Sequence, residues 1–255
     1  MPTNTPSINY SPLDIPSSEI SFVVTRFKEP LDPWVIVVNR TYLYDKFGTP
    51  QTDDAIQHSS FLEYSLAQNI GHEQQTICLH SYNHYDDLSN IVIFSQAAPF
   101  TNLLSPVVNT TLQMLELAAT RPFDPAFAPA LIFNWELIHD LDQWDRINWS
   151  SPAEDYWISA SERKTLATAP YTMGEYWQWL FGKPHPSAVR VNHGGSFGTT
   201  RQAIQRHPKE FYSRCLEAFN SCGQNTSNAE LGFFMERMDL AIIDEKFWLP
   251  HVYHP

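Results

Sequence analysis

The run NIVIFSQ, residues 90–96, constrains the fold more than any other stretch, because it is the clearest strand in the chain and follows directly on a helical segment. That segment, residues 71–88, places Ile77, Leu79, Tyr82 and Tyr85 at inward positions. A strand fed by a helix is the unit from which an α/β sheet is built. Upstream, SFVVTRF (21–27) reads as a first strand. After a turn with Pro30 and Pro33, WVIVVNR (34–40) reads as a second, covered on both faces because it hardly alternates. The order is therefore strand, strand, helix, strand. It predicts a mixed sheet flanked by helices.

The remaining segments are less regular. Residues 41–60 read as a loop with local structure, carrying Gly48, Pro50 and the pair Asp53-Asp54. A helix over 105–120 is opened by Ser105 as cap and Pro106 as first helical residue. ALIFNWELI (130–138) reads as strand or helix, with helix or irregular structure favoured, and VRVNHGGSFGTT (189–200) as one or two strands. RQAIQRH (201–207) and PKEFYSRCLEAFN (208–220) read as helices, the second opened by Pro208. Residues 228–244 form a final amphipathic helix with Asn228 as its cap. Residues 1–18, rich in Pro, Ser, Thr and Asn, read as an extended arm, which leaves 19–255 as a single α/β domain.

Composition narrows the partners. A net charge of −12 with only scattered Lys and Arg does not fit a nucleic-acid binder, whose cations must neutralise phosphates. No apolar run approaches a membrane span, and the first residues lack the basic and apolar regions of a secretory leader. A cytoplasmic protein with a small-molecule substrate is expected. Sequons at Asn39, Asn109, Asn148 and Asn225 then read as chance matches. Cys78, Cys215 and Cys222 form neither a zinc pattern nor a disulfide framework. Free buried thiols are expected, with a Cys215–Cys222 bridge as the alternative. Eight Trp, 11 Tyr and 16 Phe suit a bulky core or a cleft that stacks flat ligands. Trp177 belongs to the Trp-rich stretch 144–181 and is a candidate for such a cleft.

The polar groups are densest between Asn69 and Asp87. His80 and His84 stand one helical turn apart on one face, and Glu73 lies about two turns before them. A metal there needs a third ligand, and no Glu follows His80 as in zinc proteases. The structural alternative is a helix whose polar residues cap and bond neighbouring loops. Asp140-Leu141-Asp142 has the form that places Mg²⁺ or Mn²⁺ on a diphosphate, but a solvated helix face explains two carboxylates equally well. The loop from Gly194 to Gly198 reads as a tight turn, with anion binding by its amides as the alternative. There is no P-loop, dinucleotide fingerprint, nucleophile elbow or CxxC.

Several segments taken in order resemble a fungal family of uncharacterised, glycosyltransferase-like proteins. They are VVTRFKEPLDPW (23–34), Val38-Asn39-Arg40, the long run from Asn69 to Gln96, SFGTTRQAIQRHPKEFYSRCLEAF (196–219) and Met235-Glu236-Arg237. The third carries the pattern Asn-x-Gly-x-Glu, a helix with His, Tyr-Asp-x-Leu and a strand ending Phe-x-Gln. The resemblance implies a nucleotide-sugar-transferase-like fold with its site at the carboxyl ends of the strands. It carries over Arg26, Glu29, Asn69, Glu73, Gln96, Arg201 and Glu236 as site residues. The chain departs from the pattern at Ala97, where the family has Gly, at Val38 in place of Tyr, and in lacking a following His.

Three functions follow from these readings. In the first, a glycosyltransferase-like enzyme of specialised metabolism acts on a small acceptor, with Glu73 or an Asp as base and Arg26 or Arg201 on phosphate. It takes a divalent metal as its only cofactor, if any. In the second, a cofactor-free cyclase or isomerase folds a polyene or polyketide in an aromatic-lined cavity, polarised by His84, Gln96 or Arg201. In the third, a non-catalytic binding protein keeps the scaffold.

Overall fold

The computed structural model describes residues 19–28, 40–47, 61–97, 126–127, 136–139, 141–143, 164–191, 196–221, 223–227, 229–245 and 248–249. The centre of the molecule is β1, Ile20–Arg26, whose seven residues are all buried. Its β-branched and aromatic residues pack on both faces of the sheet, and each large apolar side chain so buried contributes about 1.5–3 kcal/mol. On one side β1 pairs in parallel with β2, Thr41–Asp45, placing Phe22 opposite Thr41 and Arg26 opposite Asp45. Strand β3, Glu63–Leu66, continues this side in parallel. On the other side β1 pairs in parallel with β4, Ile91–Gln96, from Ile20 opposite Ile91 to Thr25 opposite Gln96. The short β5, Ala126–Phe127, lies at the far edge. Between it and β4 runs β8, Phe197–Thr200, antiparallel to both. The six-stranded order is β3-β2-β1-β4-β8-β5. A smaller sheet has the order β6-β7-β9, built from β6 (Glu136–His139), β7 (Ala188–Val191) and β9 (Trp248–Leu249).

Helix α1, His72–Asn83, packs on β1 and β4, and has polar residues buried along most of its length. Gln74, Gln75, Thr76, His80 and Ser81 are buried with Ile77 and Cys78, because helices cover its outer face. Its start is fixed by Gly71, which caps it at φ 55° and whose Cα hydrogen faces the ring of Phe219. A β-carbon at Gly71 would overlap that ring, and a left-handed φ already favours glycine. Helix α2, Met173–Phe181, begins with a reciprocal capping box between Thr172 and Glu175 and ends at Gly182. The short α3, Arg201–Ile204, leads into α4, Lys209–Asn220, which Pro208 caps. Helix α5, Glu230–Ile243, is buried along most of its length between α1 and β7. One apolar cluster joins the two sheets, running from Val23 and Val92 through Trp177, Phe219 and Met238 to Ile138 and Val189.

Several expectations change here. Thr41–Asp45 is a strand, not the start of a loop, and its tyrosines and Asp45 are fully enclosed. Glu136–His139 is a strand held by β7, not helix. The thiols are not free: Cys78 on α1 and Cys215 on α4 form a disulfide between residues 137 apart in sequence. The two helices lie side by side, which no spacing rule could reveal. The expectations for residues 1–18, 34–39 and 105–120, for Asp53-Asp54, Cys222 and Asn228, and for Trp144, Trp149 and Trp157 fall outside the described residues. Among the described residues, no helix is long and apolar enough to cross a membrane.

Candidate functional site

The chain runs from β1 to β2 and β3 on one side, then returns through α1 to β4 on the other. The direction of winding therefore reverses between β1 and β4. In open α/β sheets, the crevice outside the carboxyl ends of the strands at such a reversal is where ligands bind. Here that crevice is edged by Arg26 and Phe27 after β1, Asp45 to Phe47 after β2, and Gln96 and Ala97 after β4. Two backbone bonds lock these ends together, Lys46 N–H to Arg26 O at 2.8 Å and Ala97 N–H to Thr25 O at 2.9 Å. The start of α1 rises beside them, with its amide dipoles directed toward the crevice.

The sequence-derived residues divide sharply. Gln96 donates from Nε2 to Glu73 Oε1 at 2.8 Å, which joins the end of β4 to the first turn of α1. Arg26 is buried with its guanidinium 3.9 Å from Asp45. Asp45 also accepts from the Phe47 amide and the Tyr64 hydroxyl, each at 3.0 Å. Glu236, on α5, pairs with Arg237 at 3.2 Å and acts electrostatically, with Glu73, on the buried Asp239. Asn69 is half-buried in the loop before α1. These five share the carboxyl end of the sheet, and Glu29 lies outside the described residues.

Three others are elsewhere. His84 is at the opposite end of α1, 3.3 Å from both Glu63 and Asp87. Its ring stacks on His80 at 4.6 Å and meets Tyr42 at the same distance. His80 is engaged at Nδ1 by the Tyr44 hydroxyl at 3.1 Å, and burial holds its imidazole well below the usual range, hence neutral. Arg201 is exposed at the start of α3, where its amide bonds Asn90 O at the amino end of β4. Trp177 is wholly enclosed in the core, stacked on Phe181 at 4.2 Å. Asp142, of the Asp-x-Asp pair, faces His185 at 3.0 Å beside α2, and Asp140 lies outside the described residues. Among the described residues, no group of three His, Cys, Asp or Glu is placed to hold a metal ion.

The structure adds residues that the sequence reading passed over. Lys46 is buried, and its ammonium donates to Ile70 O at 2.8 Å, to His72 O and to Gln75 Oε1 at 3.1 Å. Burial pulls it down to about 7, against the pull of Glu73 in the other direction. Burial, then Glu236 and Glu73, raise the Asp239 carboxyl well above the carboxylate range, and only the neighbouring Gln74 amide opposes them. Phe27 and Phe47 remain 42% and 37% exposed, so the two strand ends present an open aromatic pair. Their rings meet edge-on at 6.0 Å, and Lys28 Nζ lies 5.1 and 4.9 Å from the two centroids. Lys28 adopts φ 66°, a left-handed backbone that a long side chain rarely takes. The signal in sequence was an aromatic residue one position after β1 and two positions after β2, which is visible only once β2 is placed at 41–45.

A cavity of about 640 Å³ lies at the other end of α5. Phe181, His207 and Phe211 wall it, and Lys183, Arg206 and Arg214 stand around it. His207 and Phe211 stack at 4.1 Å, and the His207 ring is fixed by Ile242 O at 2.7 Å.

The chain belongs to the family described as Protein of unknown function (DUF3431), which it matches over residues 39–248. That span runs from just before β2 to the start of β9, and β1 with Arg26 precedes it. No match was found among curated proteins or among solved structures.

Proposed function

We propose that the carboxyl-end crevice binds a nucleotide-sugar donor and that the protein transfers its sugar to a small acceptor. The observation that carries this reading is the exposed Phe27–Phe47 pair at the carboxyl ends of β1 and β2, with Lys28 beside it, on the flank of the reversal between β1 and β4. An aromatic pair takes a base by stacking, and an adjacent ammonium takes the phosphates. Glu73, oriented by Gln96, is the acceptor's general base. Arg26 sets the crevice floor through Asp45, and Lys28 rather than Arg26 meets the phosphates. A divalent ion on the diphosphate would supply leaving-group stabilisation.

The test is thermal denaturation against nucleotides and nucleotide sugars, with and without Mn²⁺ or Mg²⁺, on wild type and on Phe27→Ala/Phe47→Ala. A ligand that binds only the native state raises the midpoint. A rise of several degrees that the double variant loses supports the reading. Glu73→Gln should then keep the binding and lower turnover by about 10²–10⁴-fold. No shift with any nucleotide sinks it.

A second reading rests on the other cavity. Its stacked His207 and Phe211 and its cations fit a cyclase that folds an apolar chain against aromatic walls. A polyene-type ligand whose stabilisation is lost in Phe211→Ala, and kept in Phe27→Ala/Phe47→Ala, favours it.

A further inference from the structure

The Cys78–Cys215 disulfide changes the weight of a motif that the sequence reading set aside. Both sulfurs are enclosed in the core, with the residues 1% and 0% exposed. Disulfides of this structural kind form and persist where the surroundings are oxidising, and cytosolic thiols are kept reduced. In an oxidising secretory compartment, an Asn-x-Ser/Thr tripeptide becomes a substrate for glycosylation.

Of the sequons, Asn225-Thr226-Ser227 lies within the described residues, in the turn between α4 and α5. Asn225 is exposed. The residues around it are held firmly. Gln224, fully buried, donates to Ala167 O and Thr168 O at 3.1 Å and accepts from the Leu231 amide at 3.0 Å. Thr226 O accepts from the Gly71 amide at 3.0 Å, and Gly223 turns the chain at φ 75°. The asparagine is thus presented outward from an anchored turn, and a glycan on it would project into solvent without displacing the core.

We propose that the protein matures in a secretory pathway and carries an N-linked glycan on Asn225. The co-reactant is a lipid-linked oligosaccharide diphosphate. The Asn225 amide nitrogen bonds to the anomeric carbon, the bond from that carbon to the lipid diphosphate oxygen breaks, the lipid diphosphate leaves, and the amide gives up one proton. The two thiols of Cys78 and Cys215 give up two protons and two electrons to a disulfide-carrying oxidoreductase, which is reduced to its dithiol.

The experiment uses full-length protein from its own cells. It is alkylated without reduction, digested, treated with peptide N-glycosidase in heavy-oxygen water and mapped by mass spectrometry. The expected result is a heavy-oxygen aspartate at position 225 and a cross-linked Cys78–Cys215 peptide. Asn225→Gln, made in the same cells, should lose one glycan step in gel mobility and keep the wild-type melting temperature. Recovery of the Asn225 peptide wholly unmodified overturns the proposal. So does recovery of Cys78 and Cys215 both alkylated as free thiols.

Discussion

At the carboxyl end of the central sheet, ionisable groups are buried with few opposing charges; at the amino end, they are stacked rings or exposed pairs. The first end holds Arg26 with Asp45, the desolvated Lys46, and Asp239 beside Glu73 and Glu236. The second holds His80 and His84 packed as rings against Tyr42 and Tyr44, and the solvent-exposed Lys209–Asp86 pair at 3.2 Å. Burying charge is unfavourable unless it is offset, so a fold built for stability alone would place its charges as the amino end does. The carboxyl end is where such an expense coincides with an open aromatic pair and a left-handed lysine. That coincidence is why the two ends receive different roles.

The largest effect should come from the crosslink that joins α1 to α4 between the two ends. The double variant Cys78→Ala/Cys215→Ala frees a loop of 137 residues in the unfolded chain. It should lose roughly 2–5 kcal/mol in guanidinium unfolding. A single transition that moves to lower denaturant means the two ends unfold together. Two transitions would show that the ends are separate cooperative units, and that the contrast between them extends to stability.

Gly71→Ala acts on the carboxyl end alone. The new methyl overlaps the Phe219 ring and must take a left-handed backbone. A loss of roughly 2–4 kcal/mol is expected from overpacking and backbone strain together. Gly232 on α5 also lies close, where a β-carbon would be 3.3 Å from Gly71 O, so the Gly71 backbone has little room to shift away from Phe219. A variant as stable as wild type would show that this end tolerates rearrangement.

The pH dependence separates the buried groups by sign. Lys46 is lowered from 10.5 to about 7, so the unfolded chain binds more protons between those values, and stability rises with pH across that window. Asp239 is raised above 3.8, so its contribution is full below that value and is lost as pH climbs through its folded value. His80 is lowered from 6.5, so its contribution is full above 6.5 and falls as the solution is acidified. Urea midpoints over this range should show the slope between pH 7 and 10.5 flatten in Lys46→Met. Asp239→Asn should gain on wild type steadily as pH rises from 4. Unchanged slopes in both variants would mean that the carboxyl end is hydrated, and the contrast between the ends would fail.

The framework of the fold was legible, and the site only partly. The strand expected over 21–27 is Ile20–Arg26, and that over 90–96 is Ile91–Gln96, because apolar β-branched runs declare themselves locally. The mixed sheet flanked by helices followed from them. TYLYD was missed because its tyrosines and aspartate form no apolar run and fall in a stretch that reads as loop, and their burial depends on α1, β1 and β3 closing around them. ELIH could not be told from helix because its strand exists only through pairing with β7, some fifty residues away. Within the site, Glu73 and Gln96 came from one contiguous pattern and do meet. His84 came from the same helix, but twelve residues of helix carry it to the far end of the sheet. Lys46, Phe27 and Phe47 became visible only with the register of β1 on β2, which is long-range information.

The smallest effect is expected at the amino end, where Lys209 Nζ meets Asp86 Oδ2 at 3.2 Å and lies over the Tyr82 ring at 5.4 Å. The lysine is 37% exposed and the aspartate 82%, so water screens the pair and both side chains lose entropy in forming it. In a double-mutant cycle of Asp86→Ala and Lys209→Ala, the coupling should be below about 1 kcal/mol and should vanish in about 1 M salt, where the Debye length falls to ~3 Å. The same cycle on Asp45→Asn and Arg26→Met supplies the counterpart, since neither partner there reaches solvent. Its coupling should be larger and nearly independent of salt, even though its nitrogen and oxygen stand farther apart at 3.9 Å. If the exposed pair kept a coupling above about 1 kcal/mol in high salt, burial would no longer be what distinguishes the two ends, and the assignment of the ligand crevice to one of them would lose its physical basis.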